Sequence, residues 1–193
     1  MKKSDIIDFF NRCAITWDKS IIRNDDVICK ILDNANVSEE KDILDVACGT
    51  GVLIPDYLAR KVNSVTAIDI APEMCKIAQE KFKQENVHII CDDVETAEFH
   101  QKFDCIVVYN AFPHFLEPEH LIKVLVSHLK EGGTLTIAHG MSREKINLHH
   151  FKKAKEVSNG LMSVEELAKS LEAHLQVITK ISDEKMYQVT GIL

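Results

Sequence analysis

The chemistry in this 193-residue sequence is densest in Asp42-Ile43-Leu44-Asp45-Val46-Ala47-Cys48-Gly49-Thr50-Gly51. A short apolar run there passes directly into two glycines one residue apart, and a helix is expected to begin near Val52. Gly49 and Gly51 lack Cβ, so the backbone can take positive φ and a ligand can lie against the turn. Turns of this kind that hold a pyrophosphate carry a third glycine, and the matching position here is Ile54. Asp45 precedes the turn, where its charge would oppose a pyrophosphate and suit a ligand bearing an ammonium group.

A second acid, Asp69, closes the next apolar run, eighteen residues after Gly51. A carboxylate at that position can accept hydrogen bonds from both hydroxyls of a ribose, each contributing about 1.5–3 kcal/mol. Alone it would read equally well as a helix cap; in register with the glycine turn it points to a nucleoside. The third run ends in Cys91-Asp92-Asp93-Val94, where Asp92 or Asp93 could accept from an adenine amino group or cap the following segment. Ile70 and Met74 would give the base an apolar sandwich or serve ordinary packing.

Three of the nine histidines fall where an acceptor would meet such a nucleoside. His114 lies in Asn110-Ala111-Phe112-Pro113-His114-Phe115, and His139 ends a fifth apolar run. His150 shares a helical face with Arg143 and Asn147, at i, i+4 and i+7. Ser142 suits the N-cap of that helix, with Ile146 and Phe151 as its packed side. A neutral imidazole can remove a proton from a hydroxyl, thiol or amine near pH 7. Three convergent imidazoles, His114, His139 and His150, could instead hold a divalent, zinc-type metal with one position open to substrate. Arg143 would orient an acidic or polar acceptor, or pair with a nearby carboxylate.

The elements that must position these residues follow from the periodicity. Apolar runs at 43–47, 65–68, 87–90, 105–108 and 135–138 alternate with amphipathic stretches at 52–61, 72–85, 117–130 and 143–156. This is the pattern of parallel strands joined by right-handed helical crossovers. A helix at 163–172 precedes two β-rich runs, 175–181 and 186–192, whose short connection fits an antiparallel hairpin. The reading is an α/β, Rossmann-like, doubly wound seven-stranded sheet, mostly parallel with one antiparallel strand. Ahead of it, residues 4–34 have helical spacing interrupted around Trp17. The chain divides as one domain over 1–193: a helical lead-in (1–40), a cofactor-binding core (41–140), and substrate-side helices with the terminal hairpin (141–193).

Composition narrows the partners. With 30 Asp and Glu against 23 Lys and Arg, the formal charge is −7, which disfavours nucleic acid and anionic membrane. The Lys152, Lys153 and Lys155 cluster reads as a solvated helix face. The amino terminus lacks the apolar core of a secretory signal, and six scattered cysteines without a C-x-x-C pair fit a cytoplasmic protein.

Together, D-V-A-C-G-T-G, A-I-D-I-A-P-E-M and C-D-D-V resemble the first three motifs of class I S-adenosylmethionine-dependent methyltransferases. The resemblance implies Asp45, Gly49 and Gly51 at the methionine moiety, Asp69 at the ribose, and Asp92 with Val94 at the adenine; Ala47 and Asp93 are counted with the cofactor site. Ile70 and Met74 would flank the base, and Asn110 would lie near the sulfonium. The segment F-F-N-R-C-A-I-T-W-D is similar to the lead-in of ubiquinone and menaquinone biosynthesis methyltransferases, in which it closes over the cofactor; Phe10 or Trp17 is expected to cover it here. F-P-H-F with H-G-M-S-R-E-K-I-N-L-H-H resembles a group of small bacterial methyltransferases and selects His150 over His149. The implied activity is methyl transfer to a small acceptor by in-line displacement, in a monomer or homodimer. A nicotinamide-dependent oxidoreductase, or a metal- or cofactor-sensing protein without turnover, are the alternatives.

Overall fold

The computed structural model describes residues 1–193, apart from the side chain of Lys153. Seven strands form one sheet in the order β3-β2-β1-β4-β5-β7-β6. In chain order they are β1 (Asp42–Val46), β2 (Ser64–Asp69), β3 (Val87–Cys91), β4 (Phe103–Tyr109), β5 (Leu129–His139), β6 (Gln176–Ser182) and β7 (Tyr187–Ile192). The first five pair in parallel, and β7 runs antiparallel between β5 and β6. The terminal hairpin thus supplies the reversed strand, as its short connection requires.

The central strands are buried on both faces, which is why they read as continuous apolar runs without alternation. Leu44, Val46, Ile106 and Val108 join one core cluster. Ile43, Cys105 and Val107, the alternate positions, join another. The first face is covered by α5 (Pro118–Ser127) and α7 (Val164–Glu172), through Leu121, Leu125, Leu167 and Leu171. The second is covered by α2 (Asp25–Asn34) and α3 (Ile54–Ala59), through Ile28, Leu32, Ile54 and Tyr57. Helix α4 (Pro72–Lys81) packs against α1 (Lys3–Ser20), with Met74 meeting Ala14.

Several boundaries differ from the sequence expectation. Helix α1 runs unbroken through Trp17 to Ser20; the break falls at residues 21–24, where Ile21 turns extended and Asn24 caps α2 by accepting from Val27 N–H at 3.2 Å. Strand β5 begins at Leu129, well before the apolar run at 135, because Gly132-Gly133 sits within an irregular pairing with β4 and not in a turn between elements. Helix α6 (Arg143–Lys153) is capped by Ser142 and buries Ile146, but Phe151 is 66% exposed and contributes no packed side. Lys152 and Lys155 are exposed, while the side chain of Lys153 lies outside the described residues. Among the described residues no helix is long and apolar enough to cross a membrane.

Candidate functional site

The carboxyl ends of β1, β2 and β4 open onto one cavity, the position at which open parallel sheets receive ligands. Two non-glycine residues at this edge hold left-handed conformations: Ala47 (φ 54°) and Asn110 (φ 55°). Such backbone costs about 1–3 kcal/mol where it persists and clusters at binding sites. Asn110 is fixed by accepting Gly140 N–H on Oδ1 at 3.0 Å. Both residues line the cavity.

The glycines of the turn have different duties. Gly49 (φ 56°) faces the cavity, and a Cβ there would lie 3.7 Å from the Trp17 indole nitrogen. Gly51 (φ 83°) does not line the cavity; a Cβ there would meet Phe82 Cε2 at 2.5 Å and Ile54 Cδ1 at 2.9 Å, so its smallness serves close packing under the turn.

Asp69 is 8% exposed at the end of β2 and anchors the turn. Its Oδ2 accepts Gly49 N–H and its Oδ1 accepts Ala71 N–H, each at 2.8 Å. Burial raises its pKa against the pull of these backbone donors. Each oxygen retains a lone pair, and the carboxylate lines the cavity.

Asp45 is 2% exposed, and its Oδ2 is buried without a hydrogen-bond partner. Desolvation first, and then the charge of Asp69, raise its pKa to about 8, while the nearby Tyr57 hydroxyl pulls the other way. The second oxygen of Asp56 and the hydroxyl of Tyr57 are also buried without partners. A buried, unpaired carboxyl group is costly; Oδ2 itself has no accessible surface, so a cationic ligand group in the cavity would reach Asp45 through Oδ1.

Ile70, Met74, Asp92, Asp93 and Val94 line the far end of the same cavity. Asp93 also caps the turn after β3, accepting Glu95 N–H at 3.0 Å. Helix α1 forms the cover: Phe10 and Trp17 both line the cavity, with ring centroids 5.7 Å apart. Polar contacts fasten it, including Lys3 to Asp93 and Glu95, Asn11 to Glu73 N–H, and Thr50 to Asp18.

Two cavity-lining cations were not evident from the sequence, Lys3 and Arg23. Arg23 donates to Asp25 (2.5 Å), to Val52 O (2.9 Å) and to Asp56 (2.6 Å), which leaves two of its five N–H groups free. Only the placement of the 21–24 connection beside the glycine turn brings it there, and no local sequence pattern reports that.

The acceptor-side residues separate. His114 lines the same cavity, packed edge-on against Phe10 at 5.0 Å. Its Nδ1 lies 2.6 Å from Val157 O, a group that only accepts, so the proton sits on Nδ1 and Nε2 carries the free lone pair. His114 is half-buried and lines the cavity, and its Nε2 has no hydrogen-bond partner in the protein. Burial lowers the pKa of His114, keeping it neutral. His150 lies behind it, ring centroids 4.9 Å apart, with Nδ1 at 2.7 Å from Ser158 Oγ. His139 is fully buried, neither ring nitrogen has a partner, and desolvation lowers its pKa to about 3. The three imidazoles are thus neighbours, but among the described residues no group of three or more His, Cys, Asp or Glu side chains is arranged to hold a metal ion. Arg143 is turned away from that cavity into a second cleft, where its Nε donates to Leu161 O at 2.9 Å.

Residues 43–133 match the model of a family described as a methyltransferase domain. A malonyl-[acyl-carrier protein] O-methyltransferase from Acetivibrio thermocellus is 35% identical over 132 residues, 67% of this chain and 47% of that protein. The chain spans about half the length of the curated relatives it matches. Among solved structures, a chain of the complex between the Haloferax volcanii Trm112 methyltransferase activator and a methyltransferase superposes with a TM-score of 0.80, covering 95% of this chain and 96% of that one at 17% identity. The magnesium protoporphyrin IX methyltransferase of Synechocystis PCC 6803 with bound SAH gives 0.72, at 16% identity and 99% coverage of both chains. At these identities the structural likeness establishes the fold alone, a Rossmann-like sheet with one reversed strand.

Proposed function

We propose that this chain is an S-adenosylmethionine-dependent methyltransferase acting on a small acceptor. The observation that carries the reading is Asp45: a buried carboxyl group without a partner, on the wall of a cavity whose glycine turn and ribose-type carboxylate fit an adenosyl ligand bearing an ammonium group. The methyltransferase-domain match over the same residues supports it.

Asp69 would hold the ribose through its remaining lone pairs. Asp92 and Asp93 would receive the adenine amino group, with Ile70, Met74 and Val94 against the ring. Asp45 would take the ammonium of the methionine end, and Arg23 would offer its two free N–H groups to the carboxylate. Asn110, fixed by Gly140, would sit beside the sulfonium. When bound, the cofactor supplies an electrophilic methyl group, whose bond electrons return to sulfur as the acceptor lone pair attacks from the opposite side.

The chain's contribution to that step is placement and proton removal. Ala111, Phe115 and Leu116 give the acceptor an apolar lining. Holding the nucleophile in line can account for ~7–11 kcal/mol of the barrier. His114 Nε2 accepts the acceptor's proton, and the Val157 carbonyl at 2.6 Å both fixes the required tautomer and stabilises the resulting imidazolium. General-base help of this kind contributes about 10²–10⁴-fold, so His114→Gln is expected to lower kcat by that order at unchanged cofactor affinity. His150 supports His114 from behind, its ring centroid 4.9 Å away.

Calorimetric titration with S-adenosylmethionine, S-adenosylhomocysteine and NADH tests the reading. Heat with the first two, and release of S-adenosylhomocysteine over a panel of thiols, phenols and amines, is expected. Asp69→Ala should abolish binding while His150→Ala spares it. Absence of heat with both methyl donor and product, or heat with NADH alone, would refute it.

A further inference from the structure

A second cleft opens on the other side of the turn Phe112–His114, and Phe115 lines both cavities. Its floor is apolar, formed by Phe112, Pro113 and Met162. Two opposite charges line it, Arg143 from α6 and Glu166 from α7.

Arg143 is held rigidly without being neutralised. Its Nε donates to Leu161 O at 2.9 Å, and beside it Asn147 brackets Leu161, donating to its carbonyl at 3.2 Å and accepting its N–H at 2.6 Å. The two terminal guanidinium nitrogens have no protein partner among the described residues, which leaves a planar fork of N–H donors suited to a carboxylate. Glu166 uses Oε2 to cap α7, accepting Ser163 N–H and Oγ–H at 2.8 Å each, and its Oε1 has no partner. The two charges line one cleft yet lie outside ion-pair distance, so a gap separates them. An isolated carboxylate would meet repulsion from Glu166, and a phosphate dianion more. A carboxylate next to an ammonium group satisfies both walls at once.

We propose that this cleft is a second ligand site, adjoining the main cavity at Phe115, and that its ligand is an amino acid or an amino-acid-like zwitterion. Its carboxylate pairs with Arg143 and its ammonium faces Glu166. The cleft's ligand class is measurable without turnover.

The test is ¹⁹F NMR titration with 4-fluoro-L-phenylalanine, its N-acetyl derivative and its carboxamide. The parent amino acid should bind at least tenfold more tightly than either blocked form. Arg143→Gln should erase the preference over the carboxamide, and Arg143→Lys should restore part of it. Glu166→Gln, an exposed change that keeps a capping side chain, should erase the preference over the N-acetyl form alone. Equal binding of the three probes, binding of none, or selectivity unchanged in Glu166→Gln and in folded Arg143→Lys and Arg143→Gln would overturn the proposal. Calorimetry with S-adenosylmethionine on the same protein reads the methyl-transfer reading separately: heat with the cofactor and no zwitterion selectivity sinks this inference alone.

Discussion

Binding of S-adenosylmethionine should release a proton, and Asp45 should be its source. With its pKa raised to about 8, Asp45 is about nine-tenths protonated at pH 7 in the free protein. An ammonium group beside it favours the carboxylate, so the bound state holds Asp45 ionised. The α-amino group of the ligand, with a free pKa of about 7.8, takes up about 0.15 proton on binding as a cation. The net release at pH 7 is therefore about 0.75 proton. Between pH 6 and pH 8 the same two equilibria tighten binding about twentyfold. Calorimetry at pH 7 in buffers of different ionisation enthalpy measures the release as the slope of observed against buffer enthalpy. Asp45→Asn should abolish the release, reverse the slope to slight uptake, and weaken binding about tenfold or more through loss of a charge-assisted bond. The ligand-free protein gives an independent check. A carboxyl whose folded pKa lies above its unfolded value stabilises the fold most at low pH, and that contribution is lost as pH rises from about 4 to 8. Asp45→Asn should remove that decline. A wild-type slope near zero, or one unchanged in Asp45→Asn, would refute this account of the site.

Other outcomes follow from single positions. Gly51→Ala should lower stability by about 1–3 kcal/mol, read as a reduced denaturation midpoint, because its Cβ would meet Phe82 at 2.5 Å in a left-handed backbone. His139, with its folded pKa depressed to about 3, stabilises the fold only while neutral, so stability should fall as pH drops from about 6.5 toward 3. His139→Leu should flatten that acid limb in urea titrations at pH 5 and pH 7.

The sheet was legible because strands buried on both faces must be apolar throughout, as Ile43–Val46 and Cys105–Val108 are. The gathering of the predicted cofactor residues around one cavity was legible because one turn and three strand ends adjoin it, and each is a local pattern. What failed locally depended on distant partners. The interruption read around Trp17 falls instead at 21–24, because Trp17 stays on the same face as Phe10, Cys13 and Ala14 and packs with them on Ala71 and Met74. Arg143, Asn147 and His150 do share one face of α6, but that face packs on the aperiodic 157–161 loop. Arg143 and Asn147 are drawn to Leu161 and His150 to Ser158, so the three do not converge on one pocket. Arg23 and Lys3 enter the cavity through ion pairs spanning 33 and 90 residues, separations at which sequence spacing carries no signal.

On the proposed reading, the balance of charge along the main cavity favours a sulfonium ligand over a dinucleotide. Five acids line it, Asp45, Asp69, Asp92, Asp93 and Glu95, against Lys3 and Arg23. Lys3 is engaged by Asp93 and Glu95, and Arg23 by Asp25 and Asp56, so neither cation is unpaired. A pyrophosphate would bring two further negative charges against the turn while facing Asp69 and ionising Asp45 unfavourably. Ile54, in the place of the third glycine, fills the space beneath the turn, its Cδ1 only 2.9 Å from where a Gly51 Cβ would stand. A ligand with two cationic centres and one carboxylate reverses the electrostatic terms. On the proposed reading, the pocket's acidity, an obstacle to the nicotinamide reading, contributes to affinity.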